Sequence, residues 1–283
     1  MKTKIIFSKE CLDYGIWQIE GPERVKLTAK ILRKKGYNFL EPKKALKKEL
    51  LLVHKESYLK AIKKRKLEDE DSLAYKNIYE YASLSAGAAI LAAKVGGFSL
   101  MRPPGHHAGS AGLALGAPTR GFCYFNNIAI AVKSLNKPTL ILDIDGHHGN
   151  GTENIFFGDK NITFISLHRR PDYPWTGLKS RGNCLNFPLP FDCGEQMYLK
   201  TLDKALKKVD LSKIMVVAVS VGFDTHKKGL ASLGLTSKTF KIIGRKIAEL
   251  NKHTFFVLEG GYNAKDVSED ICQLLSSYEL TKR

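Results

Sequence analysis

The stretch Asp143-Ile144-Asp145-Gly146-His147-His148 sets two acids and two imidazoles at the end of an apolar run, Leu140-Ile141-Leu142. Side chains alternate faces along a strand, so Asp145 and His147, two apart, can point the same way and share one ion. A carboxylate and an imidazole together suit Zn²⁺ or a similar divalent cation. The plainer alternative is a buried Asp hydrogen-bonded to a His in an ordinary core. A second histidine pair stands in Arg102-Pro103-Pro104-Gly105-His106-His107-Ala108, a Pro/Gly loop of the kind that carries reactive groups on a rigid scaffold. Downstream, the apolar run Ile214–Val219 leads into Ser220-Val221-Gly222-Phe223-Asp224, and Phe255–Leu258 into Glu259-Gly260-Gly261-Tyr262. Chemically capable residues therefore follow several predicted strands, at the ends where open α/β sheets bind ligands. Asp145, His147 and Asp224 would supply the three protein ligands of a catalytic zinc, with the fourth position left for water or substrate.

The elements that must position these groups alternate. Short apolar runs occur near 97–101, 138–143, 161–167, 213–219 and 253–258, and Met1–Ser8 reads as a first strand. Helical patterns lie at about 78–95, 126–136, 195–208, 236–250 and 266–278. This alternation predicts βαβ units and a parallel sheet in an α/β protein. Runs apolar on both faces, such as 214–219, require a sheet covered on both sides. Strand order does not follow from the pattern. The 283 residues are enough for one large domain, and no linker, repeat or low-complexity tract divides 1–283.

The N-terminal apolar piece is too short for a signal peptide, and no run approaches the ~20 residues of a membrane span, so no membrane partner is expected. Five cysteines, Cys11, Cys123, Cys184, Cys193 and Cys272, form no CxxC, and their odd number points to a reducing, cytoplasmic setting. Lys plus Arg number 45 against 28 acids, a net +17. The clusters at Lys43–Lys48 and Lys60–Lys66 fit solvated helix faces. Without a recognisable nucleic-acid module they predict at most weak, salt-sensitive nucleic-acid binding.

The ordered set RPPGHHA at 102–108, GFCYFNN at 121–127, DIDGHHGNGT at 143–152, SLH at 166–168, GFD at 222–224 and GGY at 260–262 resembles the zinc-dependent deacetylases of the histone deacetylase and acetylpolyamine amidohydrolase superfamily. Gly21-Pro22-Glu23-Arg24 is similar to the family's HPER element, with Gly where His is usual. The resemblance implies an arginase-like three-layer fold: a central, mostly parallel sheet of about eight strands flanked by helices. It also implies roles. Asp145, His147 and Asp224 would hold one Zn²⁺. His107 would act as general base and His106 as the neighbouring imidazole, with Asp143 orienting His106. Asn150, Asp in many members and Asn in the class II-like branch, would hydrogen-bond His107 without charging it. Tyr262 would stabilise the oxyanion. Phe122 and Tyr173 would wall the acyl-lysine channel, with Gly121 and Gly260 beside them and Asp71 as a rim acid. A K⁺ site would draw on Asp143, Asp145, His147, Ser166 and Leu167.

The expected reaction is zinc-dependent hydrolysis of an N-acetyl amide, with acetyl-lysine on proteins ahead of acetylpolyamines or small acetyl-amines. The loop Thr225–Leu230 is basic, which would disfavour a cationic polyamine. Two further features point at the pocket. The small-residue insertion 109–118 reads as a lid, and Trp175 as a group that narrows the channel. Two rivals remain. Arginase-type ureohydrolases share the fold but need extra metal-bridging acids, and here His147 and Asp224 are followed by His148-Gly149-Asn150 and Thr225-His226. A non-catalytic module binding acetylated ligands or nucleic acid would need at least one lost catalytic group, and none is lost. Oligomeric state is not legible.

Overall fold

A computed structural model of the chain describes residues 2–282. Eight strands form one parallel sheet: β1 (Ile5–Ile6), β2 (Phe39–Leu40), β3 (Phe98–Ser99), β4 (Thr139–Asp143), β5 (Ile162–Arg169), β6 (Cys184–Leu189), β7 (Val216–Val221) and β8 (His253–Leu258), in the order β2-β1-β3-β8-β7-β4-β5-β6. The helices are α1 (Glu23–Lys34), α2 (Lys47–Leu50), α3 (Glu56–Lys63), α4 (Ile78–Val95), α5 (Asn127–Leu135), α6 (Asn150–Phe156), α7 (Gly194–Leu206), α8 (Ser237–Glu249) and α9 (Ala264–Thr281). One layer holds α1, α7, α8 and α9, packed in succession, and the other holds α2 to α6. Every residue of β4 and β7 is buried, as a sheet covered on both faces demands.

Strand order decides where a ligand can sit. From β4 the chain moves one way, to β5 and β6; from β7 it moves the other way, to β8. Right-handed crossovers in opposite directions put α6 and α8 on opposite faces, and the loops after β4 and β7 part to leave a crevice. Asp143 pairs in register with Ser166 of β5 on one side and Ser220 of β7 on the other. The three strand ends are therefore level at the crevice.

Local chemistry explains the helices that hold these strands. Thr236 opens α8, its backbone N–H donating to the Thr239 hydroxyl. A side chain at Gly244 would run into the Leu274 backbone, so α8 and α9 pack closely only because that position is bare. Asn263 caps α9 by accepting from the N–H groups of Lys265 and Asp266.

The helical pattern at 78–95 coincides with α4. Other boundaries moved. The first strand shrinks from Met1–Ser8 to Ile5–Ile6 within the described residues, and 97–101 to Phe98–Ser99. The run 213–219 becomes a short 3₁₀ turn at Leu211–Lys213 followed by β7. Two strands were not foreseen. β2 has only two residues, and β6 contains Pro188, which fits a strand only at a sheet edge, where it lies. Helices α1 and α6 were also unforeseen, while the lysine-rich helix faces expected at Lys43–Lys48 and Lys60–Lys66 only overlap the short α2 and the end of α3.

Candidate active site

The loops after β4 and β7 bring Asp145, His147 and Asp224 together. One ligand atom from each lies within 4.8 Å of the others, and this is the one such trio of His, Cys, Asp and Glu among the described residues. His147 Nδ1 is 2.8 Å from Asp224 Oδ2 and 3.4 Å from Asp145 Oδ1. The second carboxylate oxygens are held from behind: Asp224 Oδ1 accepts from Gly146 N–H at 2.9 Å, and Asp145 Oδ2 from Gly260 N–H at 2.7 Å. Asp224 Oδ2 lies 2.8 Å from His147 Nδ1 and is otherwise buried without a hydrogen-bond partner. Asp143, Asp145, Asp224 and Glu259 are all at most 1% exposed. Four carboxylates out of water cost several kcal/mol each unless a positive charge compensates them. The donor set, its spacing and the orphaned oxygen fit a divalent cation.

Two imidazoles stand beside this trio, their ring centres 4.0 Å apart. His106 Nδ1 is 3.0 Å from Asp143 Oδ2, so that nitrogen carries a proton. Burial opposes charge on His106, but Asp145 and then Asp143 outweigh it and push the ring up to about 10. His107 goes the other way: burial, then the neighbouring His106 and His147, hold it well below its ordinary value. Its tautomer is set by a chain of contacts. Asn150 Nδ2 donates to the Ala114 carbonyl at 2.9 Å, which turns Asn150 Oδ1 toward His107 Nδ1 at 2.7 Å. The proton therefore sits on Nδ1, and Nε2 is the basic nitrogen. Asp143 Oδ1 accepts from the Asp145 N–H at 3.1 Å, and a side chain at Gly149 would collide with Asp143.

His107 and His147 form the floor of a cavity of about 320 Å³. Phe122, Tyr173, Gly121 and Tyr262 wall it; Asp71, Arg169, Asp172 and Leu230 ring the mouth. The Phe122 and Tyr262 rings meet edge-on at 5.7 Å, and Tyr173 lies 5.0 Å from His107. A Cβ at Gly121 would press on both His107 and Tyr173. The Tyr262 phenol is held above its ordinary range by burial, then by the charges of Asp224 and Asp145. Asp71 accepts a hydrogen bond from Thr119.

Several expected positions are placed differently. Gly260 does not line the cavity; it lies against the Asp145 and Asp224 carboxylates, where any side chain would collide. The insertion 109–118 is no lid: Gly109 and Gly112 bridge to each other, Ala114 holds Asn150, and none of the segment reaches the cavity. Trp175 is 65% exposed and does not narrow the channel. Lys227 and Lys228 point to solvent, and from their loop only Leu230 reaches the mouth. Ser166, proposed for K⁺, is beside Asp143 in register, with its hydroxyl 2.9 Å from His168 Nδ1.

Sequence reasoning missed the scaffold under the site. Glu20 bridges two buried arginines, Arg24 at 2.9 Å and Arg102 at 2.7 Å. Arg24 donates to the backbone carbonyls of Gly261, at 2.6 Å, and Glu259, and its guanidinium lies over the Tyr262 ring. Arg102 opens the loop that carries His106 and His107. Glu20 thus ties the imidazole loop to the tyrosine loop. Glu259 repeats the device: it accepts from Gly105 N–H at 2.7 Å, His106 N–H at 3.2 Å and the Ser220 hydroxyl at 3.0 Å. Burial pushes its carboxyl up to about 7. The available signal was position alone, since Glu20 precedes GPER and Glu259 precedes GGY.

A parallel eight-stranded sheet with a carboxylate–imidazole cluster at its switch point has the arginase–deacetylase architecture. Residues 18–278 match the histone deacetylase domain, and the chain belongs to that family, hydrolases that act on amide bonds. A probable deacetylase of Archaeoglobus fulgidus is 36% identical over 94% of this chain and 82% of its own length. Acetylpolyamine amidohydrolase 1 of Pseudomonas aeruginosa is 34% identical over 64% of this chain and 55% of its own. The crystal structure of an acetylpolyamine aminohydrolase from Burkholderia pseudomallei superposes with a TM-score of 0.91 over 99% of both chains at 22% identity, a likeness of fold.

Proposed function

We propose that this protein is a zinc-dependent deacetylase that hydrolyses an N-acetyl amide, most directly acetyl-lysine on proteins, using one Zn²⁺ held by Asp145, His147 and Asp224. The observation that carries the reading is the convergence of these three buried donors beside two imidazoles, one held by a carboxylate and the other by an amide. Zinc bound there supplies Lewis acidity toward the amide carbonyl and lowers the pKa of water. His107, kept neutral, takes the water's proton at Nε2, and Asn150 holds its tautomer. His106, oriented by Asp143, gives a proton to the leaving amine. Tyr262 donates from its phenol to the oxyanion. Phe122 and Tyr173 flank an apolar methylene stem, with Gly121 leaving room between them and Asp71 placed to accept from the substrate backbone. Asp143, Asp145, His147, Ser166 and Leu167 are the residues for a K⁺ that would stiffen the ligand loop. The unpaired cysteines fit a reducing, cytoplasmic setting, and no helix among the described residues is long and apolar enough to cross a membrane.

A second reading, acetylpolyamine hydrolysis, is favoured by the mouth itself. Lys227 and Lys228 stay away from it, while Asp71 and Asp172 line it, the latter paired with Arg169. Turnover of an acetyl-lysine peptide, N-acetylspermidine and a small acetamide, each with chelator and after zinc is restored, tests both. The proposal expects chelator-sensitive activity highest on the peptide. Higher activity on the polyamine would select the second reading, and silence on all three would overturn both.

A further inference from the structure

His147 and His148 are neighbours in the chain, but their side chains part. His147 turns to the carboxylates, and His148 to a buried network that the deacetylation chemistry leaves unused. The His148 residue is 1% exposed. Its Nε2 lies 3.1 Å from Glu153 Oε2, which also accepts from Asn186 Nδ2 at 2.7 Å. An ionised carboxylate can only accept, so the ring proton is on Nε2, and Nδ1 is left to accept from the Thr176 hydroxyl at 2.7 Å. Gly177 lies against the same ring: a Cβ there would meet ring carbons at 2.5 Å. The Gly177 carbonyl accepts from His168 Nε2 at 3.1 Å, and the His168 ring stands 4.7 Å from that of His148. Two buried imidazoles therefore grip Thr176 and Gly177 together.

What they grip is the loop after β5, which carries Asp172 at the mouth and Tyr173 on the wall of the pocket. Tyr173 is pinned on the other side as well, its phenol donating to the Thr119 carbonyl at 2.9 Å. Between the two pins Trp175 holds φ at +63°, a conformation that bulky residues rarely adopt and that persists only where the surroundings impose it. Trp175 is itself mostly exposed, so its own side chain does not impose it; the pins on either side do. The Tyr173 ring fixed in this way lies 5.0 Å from His107 and 5.8 Å from His147. The gap between that ring and the two imidazoles is where an acyl group must enter.

We propose that His148 is a positioning residue that sets acyl specificity: through Thr176 and Gly177 it fixes Tyr173 against the ligand loop, and so fixes the width of the channel. The proposal rests on the reading of the pocket as an acyl-lysine channel and deepens it, since a channel held at this width favours acetyl over longer acyl chains. His148 touches no reacting atom. It acts through the wall loop, and because it shares a peptide bond with His147, wall and ligand loop keep one register.

The test changes the loop side of the clamp and leaves the histidines intact. Thr176→Val removes the hydroxyl at nearly constant shape, Thr176→Ser restores it, and Gly177→Ala drives a methyl into the His148 ring, so one site decides if a variant at the other fails to fold. Full-length, zinc-loaded protein is assayed on acetyl-lysine and butyryl-lysine versions of one peptide, and its zinc content is measured. Loop motion is followed by fluorescence anisotropy of Trp175 in a Trp17→Phe background, where it is the sole tryptophan. Thr176→Val should raise KM for the acetyl peptide about threefold to tenfold, the size expected for one lost hydrogen bond, with kcat within about twofold and zinc unchanged. Gly177→Ala should do at least as much. In both, the preference for acetyl over butyryl in kcat/KM should fall by a similar factor and the Trp175 anisotropy should drop, while Thr176→Ser should match the wild type. Unchanged KM, acyl preference and Trp175 signal would refute the clamp. So would loss of zinc and kcat with KM unchanged, which would make His148 a support of the ligand loop alone. A protein silent on both peptides would overturn the deacetylase reading instead, and the Trp175 signal would still judge the clamp.

Discussion

At the floor of the pocket, Asp145, His147 and Asp224 follow strands buried along their whole length, with backbone N–H groups fixing each carboxylate from behind. At the mouth, Asp71, Asp172 and Leu230 hang on loops and stay partly exposed, held by side-chain contacts to Thr119 and Arg169. The floor has little freedom because its charges are out of water and each polar atom must be met. The mouth is solvated, so many loop sequences satisfy it. On the proposed reading chemistry is set by the floor and selectivity by the mouth, so substitutions in the two should behave differently.

The scaffold beneath the floor offers the largest break. Glu20→Gln keeps the shape but leaves Arg24 and Arg102 buried without their shared counter-charge. Losing one partner of a buried pair costs about 3–5 kcal/mol, a fall in melting temperature on the order of 10 °C for a chain this long. Calorimetry checks this; a shift under about 2 °C would mean that the network is not what joins the two catalytic loops. Next in size is Tyr262→Phe. If the phenol acts only on the developing oxyanion, kcat should fall by about 10²–10³ with KM little changed, the effect of losing one such donor. A rise in KM alone would make Tyr262 a wall residue.

Asn150→Asp sharpens the contrast without removing a group. The base must be neutral to accept a proton, so activity is lost as pH falls through the His107 pKa. A carboxylate in place of an amide 2.7 Å from Nδ1 stabilises the charged ring and raises that pKa. The acidic limb of the kcat/KM profile should move to higher pH, and an unmoved limb would exclude His107 as the base. The smallest effect belongs to the mouth: Asp71→Asn should raise KM for a peptide about threefold to tenfold, with kcat unchanged, as expected for one exposed hydrogen bond to a charged acceptor. A fall in kcat would place Asp71 nearer the reacting atoms than the geometry does.

This division also governs what could be read from residues alone. The convergence of Asp145, His147, Asp224, His106, His107 and Tyr262 was legible because each sits in a recognisable tripeptide or longer motif. The parallel sheet was legible where strands are long and apolar on both faces, as in β4, β5, β7 and β8. It was not legible at β2, two residues long, or at β6, where Pro188 hides an edge strand. Glu20 and Glu259 were missed because a buried carboxylate that organises backbone and arginines looks, in sequence, like any surface glutamate. Trp175 and Lys227 misled for the converse reason: residue type suggested a role at the pocket, but loop geometry turns both toward water.

The most direct test of the account is the metal content of the purified protein, measured by mass spectrometry for the wild type and for Asp224→Ala, with deacetylation followed on the same samples. One divalent ion per wild-type chain, with metal and activity lost together in the variant, is the predicted result. Two ions per chain, or wild-type activity in a variant that holds no metal, would contradict it.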